Sequence, residues 1–400
     1  MARTRTRRLR WVSGLTAVTC VAALSAVTTP AHAAPEGRIR GAGLPGAVGG
    51  SYVVTLRQGT PALSAAGKSL AARYGVEISH TYGTVLNGWA VRADARQARR
   101  LAADPRVASV AQDTRVTLED TQKNPPSWGL DRVDQANLPL DKSYRWPRSA
   151  GAGVTVYVID TGVRVSHRDF GGRAAYGWDF VDDDRTAGDG NGHGTHVAGT
   201  IAGTRYGIAK KAQVVSVRVL DDSGGGSTAD VIAGIDWVTR HAKRPAVANV
   251  SLGGPRNSQL DAAVRNSVAS GVTYTVAAGN AGRPAALYSP AGVSQAITVG
   301  ATDRTDRRAG YSNHGPALDL FAPGVSITSA SHASDTAKAT YSGTSMASPH
   351  VAGAAALYLA GHREATPAQV SKALVARAAS GRISGRGAGS PDELLRVPRP

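Results

Sequence analysis

Residues 154–162 read VTVYVIDTG, and this stretch decides the fold. From Val154 to Ile159 every side chain is apolar, aromatic or β-branched, which suits a strand covered on both faces. Asp160 closes the run, and Thr161-Gly162 turn the chain away. The same texture recurs downstream: residues 213–219 (QVVSVRV), 246–251 (AVANVS), 273–277 (TYTVA) and 296–299 (AITV) are short apolar strands. Residues 195–202, 228–241, 259–270 and 345–360 read as helices between or after them. This alternation predicts an α/β fold, a parallel sheet with helices on both faces, whose reactive groups belong at the carboxyl ends of the strands.

Upstream of that sheet the chain changes character. Arg3, Arg5, Arg7, Arg8 and Arg10 precede an uncharged stretch from Trp11 to Ala31, and Ala31-His32-Ala33 has the small residues of a signal-peptidase site. Residues 1–33 are therefore expected to be a signal peptide, cleaved after Ala33. The strongly apolar part, Val12 to Val27, is shorter than the ~20 residues of a spanning helix. The expectation is export, with no membrane attachment once the signal is removed. The only cysteine, Cys20, lies in this leader, so the mature chain is expected to lack disulfides. Five of the +17 net charges also belong to the leader, and the rest form no Lys/Arg cluster beside aromatic residues. That distribution argues against nucleic acid as a partner.

After a Gly/Pro-rich linker (34–50), residues 51–57, 76–82, 85–92 and 107–110 read as strands, and 61–74 and 93–103 as helices. The order β-α-β-β-α-β is that of a ferredoxin-like α+β domain, placed at 51–120. Its one histidine, His80, has no acid or thiol partner there. Pro125-Pro126 interrupt the chain, and a second domain is placed at 121–400.

Acyl transfer by a serine needs a hydroxyl, an imidazole, a carboxylate to orient it and donors for the oxyanion. Candidates are Asp160 in VIDTG, His193 in NGHGTHVAGT, Ser345 in GTSMASP and Asn280 in VAAGN. Taken singly the first three have ordinary uses, as a strand-ending turn residue, a zinc ligand with His196 and a helix cap, while Asn280 is read as closing another strand, where its amide can donate to a developing oxyanion. A zinc peptidase would carry H-E-x-x-H, and no glutamate follows His193. Ser348 is a rival hydroxyl, but Pro349 stands behind it and it lacks a preceding glycine.

Together VIDTG, NGHGTHVAGT, VANVSLGG, VAAGN and GTSMASPHVAG, in the order Asp, His, Ser, resemble the subtilases and most of all their proteinase K and aqualysin branch. The resemblance runs from Trp128 to the C-terminus. It implies a secreted serine endopeptidase, with Asp160, His193 and Ser345 as triad, Asn280 as oxyanion donor and no cofactor for the chemistry. Residues 51–120 then look like the propeptide, an intramolecular chaperone and inhibitor whose tail, Thr114 to Asp120, lies in the active site. Two segments, Ser251-Leu252-Gly253-Gly254 and Leu220 to Gly226 with Gly224 and Gly225 foremost, are expected to pair with the substrate as an extended strand. Ala277, Ala278 and Gly279 are expected to line an uncharged pocket that prefers aromatic or aliphatic side chains.

The resemblance also implies two structural calcium sites. One uses Asp319 with the carbonyls of Ser294 and Ala296; the other uses Asp131, Asp134, Gln135, Asp141 and Ser143. Similar enzymes of the aqualysin type carry disulfide cysteines where this chain has Gly190, Asp222 and other residues. The protein is expected to act as a monomer on polypeptides. Two rival functions remain: a catalytically silent subtilase that only binds, and an N-terminal domain that stays attached as the working inhibitor.

Overall fold

The computed structural model describes residues 35–43, 47–114 and 120–397. The expected leader and most of the Thr114–Asp120 tail lie outside the described residues. The chain divides into two compact units between Arg115 and Val116.

The first unit is a five-stranded sheet in the order Ile39–Arg40, Val107–Thr114, Ala47–Leu56, Gly88–Arg92, Glu77–Tyr82, with helices Ala65–Arg73 and Ala95–Ala102. The β-α-β-β-α-β order is present, and Val54, Leu70, Trp89, Val91, Leu101 and Val110 form its core. The helices are shorter than the sequence reading because their caps lie inside the expected bounds. Ser64 accepts the amide of Gly67 at 3.1 Å, and Asp94 and Gln97 form a reciprocal capping box. The stretch read as a linker is partly sheet: Ile39 and Arg40 pair in parallel with Val110 and Ala111, and Ala47 begins the next strand. Those residues cover an otherwise open edge of Val107–Thr114.

The second unit is built on a nine-stranded sheet. Its order is Ala379–Ser380, Glu393–Leu394, Leu320–Pro323, Ile297–Thr302, Thr273–Ala277, Ala246–Val250, Thr155–Asp160, Gln213–Arg218, Ala174–Asp179. All pairings are parallel except that between the first two strands. The side-chain alternation of VTVYVI feeds two separate cores. Val156 and Val158 join a core with Val197, Ile201, Val351 and Ala355, from helices His193–Ala202 and Thr344–Gly361. Tyr157 and Ile159 join another with Val231, Ile235, Leu260 and Val264, from helices Thr228–His241 and Ser258–Ala269. Each such side chain stabilises the fold by about 1.5–3 kcal/mol, so the central strand is held from both faces. Among the described residues no helix is long and apolar enough to cross a membrane.

Candidate active site

Strand Thr155–Asp160 lies where the strand order reverses, between Gln213–Arg218 and Ala246–Val250. A crevice opens outside the carboxyl ends at such a point. Asp160, fully buried, is the last residue of the strand. Its Oδ1 lies 2.6 Å from Nδ1 of His193 and accepts the Thr161 amide at 2.8 Å. A carboxylate only accepts, so Nδ1 carries the proton and Nε2 is left as the basic nitrogen.

His193 opens the helix His193–Ala202, and Asp189 gathers the turn before it. The Asp189 carboxylate accepts the amides of Asn191 (3.1 Å), Gly192 (2.7 Å) and Thr195 (2.8 Å) and the hydroxyl of Thr161 (2.9 Å). It thereby ties the residue after Asp160 to the helix that carries His193. The sequence reading missed Asp189, although an acid just ahead of a helix start is a capping signal. Gly194 permits the contact between these elements. A Cβ there would stand 2.1 Å from the Gly162 carbonyl oxygen and 3.2 Å from Cβ of Asp160.

Burial opposes the imidazolium form of His193, but the Asp160 carboxylate and the Asp189 charge outweigh it, so the pKa lies above the ordinary 6.5. His196 differs. It is buried, Nε2 pairs with the Ile327 carbonyl at 2.9 Å, its ring stacks on Tyr341, and burial pushes its pKa down to about 4. It is a neutral packing residue.

Ser345 is the second residue of helix Thr344–Gly361. Its hydroxyl donates to the Ser251 carbonyl at 2.9 Å, and the Ser251 hydroxyl donates to the Ser345 carbonyl at 2.9 Å. The second bond follows from Pro349: without an N–H it cannot bond the carbonyl four residues back, and Ser251 takes that place. Asn249 donates to Ser251 Oγ at 2.9 Å and accepts from Ser348 at 2.9 Å. Ser348 is thus a fully buried structural hydroxyl. Ser345 and His193 line one cleft, with the Ser345 hydroxyl turned to Ser251.

Asn280 lies in the loop beyond strand Thr273–Ala277, three residues past the strand end where the sequence reading put it. The amide and hydroxyl of Thr344 donate to its Oδ1 at 2.8 and 2.9 Å. That fixes the amide orientation and leaves Nδ2 as donor on the side of Gly343, where a Cβ would lie 3.4 Å away.

The cleft holds roughly 770 Å³, and Gly224, Ser251, Leu252, Gly253, Ala277, Ala278 and Gly279 line it. Gly225 is the exception. Its amide donates to Asp221 Oδ1 at 3.0 Å and its carbonyl accepts the Asp221 amide at 2.7 Å. Gly226 stands at the cleft wall instead. Leu220, from the segment expected to meet the substrate, adds apolar surface, as do Leu260 and Tyr288, which the sequence did not reveal, and among the described lining residues there is no Asp, Glu, Lys or Arg.

The carboxylates of Asp131, Asp134 and Asp141 offer oxygens within 4.8 Å of one another. Asp131 is buried, and that desolvation raises its pKa against the amides it accepts from Lys142 and Asp141. Ser143 Oγ is buried with no partner among the described residues, and Gln135 Oε1 meets only the Asp141 amide, at 3.3 Å. Among the described residues Arg145 pairs with Asp141 at 2.9 Å and Asp134 at 3.3 Å. The all-oxygen set with an unsatisfied hydroxyl fits a hard cation such as calcium. Asp319 accepts the Thr298 amide at 2.8 Å and makes no ion pair among the described residues; burial pushes its pKa up to about 6. A half-buried carboxylate without a cation fits the same class of ion. Ala296 is buried and Ser294 exposed on the segment before the Ile297 strand.

A cleft at the switch point of a parallel sheet, with Asp, His and Ser in that chain order, places the molecule among the serine endopeptidases. Within that class the chain belongs to the subtilase family: the family's peptidase S8 model matches residues 151–392, and the peptidase inhibitor I9 model matches residues 51–119. It is 47% identical over 389 residues to an extracellular serine proteinase of Thermus sp. (strain Rt41A), covering 92% of this chain and 94% of that protein. It is 40% identical to a cuticle-degrading serine protease of Arthrobotrys oligospora, covering 93% and 96%. Among solved structures, a cold adapted subtilisin-like serine proteinase matches with TM-score 0.67 and 50% identity, over 68% of this chain and 98% of that one.

Proposed function

We propose that this endopeptidase cleaves peptide bonds with Ser345 as nucleophile, His193 as base, Asp160 as the group that orients the imidazole and Asn280 as oxyanion donor. The observation that carries the reading is the 2.6 Å contact of Asp160 with His193 at the cleft that Ser345 and Asn280 also line. As the Ser345 oxygen adds to the substrate carbonyl, its proton passes to Nε2 of His193. The imidazolium then gives that proton to the leaving amine as the C–N bond breaks, and water repeats the sequence on the acyl-enzyme. Asn280 Nδ2 and the Ser345 amide, one of the first-turn N–H groups without an intrahelical partner, receive the negative oxygen. Removing one such donor lowers turnover by about 10²–10³.

The uncharged cleft supports a preference for Phe, Tyr or Leu before the scissile bond, since a charged side chain would be desolvated there without a partner. Residues 51–120 serve as propeptide and inhibitor of a peptidase at 121–400, and the leader at 1–33 directs secretion. Calcium, bound through Asp319 and through the Asp131 cluster, ties elements together and takes no part in acyl transfer.

The deciding experiment expresses Ser345→Ala in a protease-free host and assays self-cleavage near residue 120, then profiles the active enzyme on a peptide library. Self-cleavage by the variant would remove Ser345 as nucleophile. A preference for Arg or Glu would overturn the pocket reading.

A further inference from the structure

The loop that carries Asn280 has its own organising residue far along the chain. Asn313 is fully buried, and all three hydrogen bonds of its side chain go to this loop. Nδ2 donates to the Ala278 carbonyl at 2.8 Å, and Oδ1 accepts the amides of Ala281 at 3.1 Å and Arg283 at 3.0 Å. Its own amide donates to the Gly279 carbonyl at 2.9 Å. The residues on both sides of Asn280 are therefore bonded to one side chain or its backbone.

Gly279 completes the fit. Its φ is +98°, a left-handed value that favours glycine, and a Cβ there would lie 2.5 Å from Asn313 Nδ2. The space that a side chain at 279 would take is occupied by the carboxamide of Asn313. A carboxamide supplies the donor and the two-fold acceptor from separate atoms of one short side chain. Aspartate would set an oxygen against the Ala278 carbonyl, and alanine would leave that carbonyl and two amides without partners.

We infer that Asn313 is a positioning residue of the peptidase reaction: it fixes the backbone of the 278–283 loop, so that Asn280 meets the oxyanion and Ala278-Gly279 keep their place in the pocket wall. The inference rests on the proposed role of Asn280. Thr344 holds the Asn280 carboxamide and Asn313 holds the backbone beneath it, two restraints from different elements. A donor displaced by a fraction of an ångström loses much of its transition-state contact while the ground state loses little.

The test is a double-mutant cycle on kcat and KM with Asn280→Ala, Asn313→Ala and the double variant, and Asn313→Asp as a second probe of like size. Each is made as the full chain and matured in trans by a tagged, removable copy of the unmodified enzyme. Active sites are counted with a phosphonylating inhibitor, which excludes unfolded protein from the rates. The expected result is a loss of at least tenfold in kcat for either Asn313 variant when Asn280 is present. Less than twofold should be lost when Asn280 is already alanine, and the rise in KM should persist in both backgrounds. An equal loss of kcat in both backgrounds overturns the inference and leaves Asn313 a general fold residue. If Asn280→Ala alone leaves kcat unchanged, the role of Asn280 itself falls, and that outcome is read independently of Asn313.

Discussion

At the level of single residues the controlling balance is at His193. Half-burial penalises the imidazolium, and the Asp160 carboxylate at 2.6 Å more than restores it. In the proposed mechanism the base must be neutral to take the Ser345 proton, so a pKa above 6.5 would delay the onset of activity as pH rises. The acid limb of kcat/KM is expected to have its midpoint above 6.5, read from rates on a peptide ester between pH 5 and 9. Stability responds with the opposite sign. A raised pKa means that the folded state binds the proton more tightly, so this contribution is fully present below 6.5 and lost as pH rises through the folded value. Asp160→Asn should lower turnover by about 10⁴, the cost of presenting the wrong tautomer. It should also move the remaining acid limb downward. A midpoint at or below 6 in the unmodified enzyme would mean that Asp160 does not control the base.

At the level of elements, the site depends on how closely a strand turn, a helix start and a second helix approach one another. Gly194→Ala tests the first approach, because the added methyl would meet the Gly162 carbonyl oxygen and Cβ of Asp160. Overpacking of this kind typically costs 1–3 kcal/mol, and relief by moving the helix separates His193 from Asp160. The expected outcome is a fall in kcat of at least tenfold with a smaller change in KM; an unchanged kcat would show that the two elements tolerate separation. A second approach joins Gly190 and Asp222, where similar enzymes were expected to have cysteines. A Cβ on Gly190 would lie 2.3 Å from the Asp222 carboxylate, so the two positions remain adjacent without a covalent link. The local tie is instead the Asp222–Arg218 ion pair at 2.9 Å and the Asn191 bond to the Asp222 carbonyl at 3.0 Å. The central strands were legible in the sequence because burial on both faces leaves an unbroken apolar run. Strand Ala174–Asp179 was missed because AAYGWD lies at the sheet edge, carries a glycine and leaves Tyr176 exposed. Triad, oxyanion and pocket candidates were readable as compact strings. Asp189 was not picked out although most of its bonds are local, to amides two to six residues on; Asn313 was not, because its bonds reach backbone groups in a segment that only the fold brings near, and no local pattern marks such partners.

For the whole peptidase unit, the open question is what replaces disulfides, since Cys20 is the only cysteine of the chain. Buried ion pairs are one answer: Arg132, fully buried, bonds Asp306 through two nitrogens at 2.7 and 2.9 Å. Calcium at the two proposed sites would be the other, since each lies where a cation could join separate elements. Asp319 precedes strand Leu320–Pro323 and bonds into its neighbour Ile297–Thr302. The Asp131 cluster brings helix Trp128–Val133 together with the strand Ser143–Trp146. A ligand that binds only the folded form stabilises it by RT ln(1 + [L]/Kd), about 2.7 kcal/mol at 100 times Kd. Chelation should therefore lower the melting temperature of phosphonylated enzyme, which cannot digest itself, by several degrees. Asp319→Asn separates a metal site from an ordinary surface acid. In calcium the variant loses a ligand and should melt lower than the unmodified protein. In chelator it loses a half-buried charge that has no cation beside it, so it should melt at the same temperature or higher. The crossing of the two effects is the signature, because an acid with a purely local structural role would shift melting by the same amount in both media. Coincident melting curves of the unmodified enzyme in calcium and in chelator would remove calcium from its stability altogether.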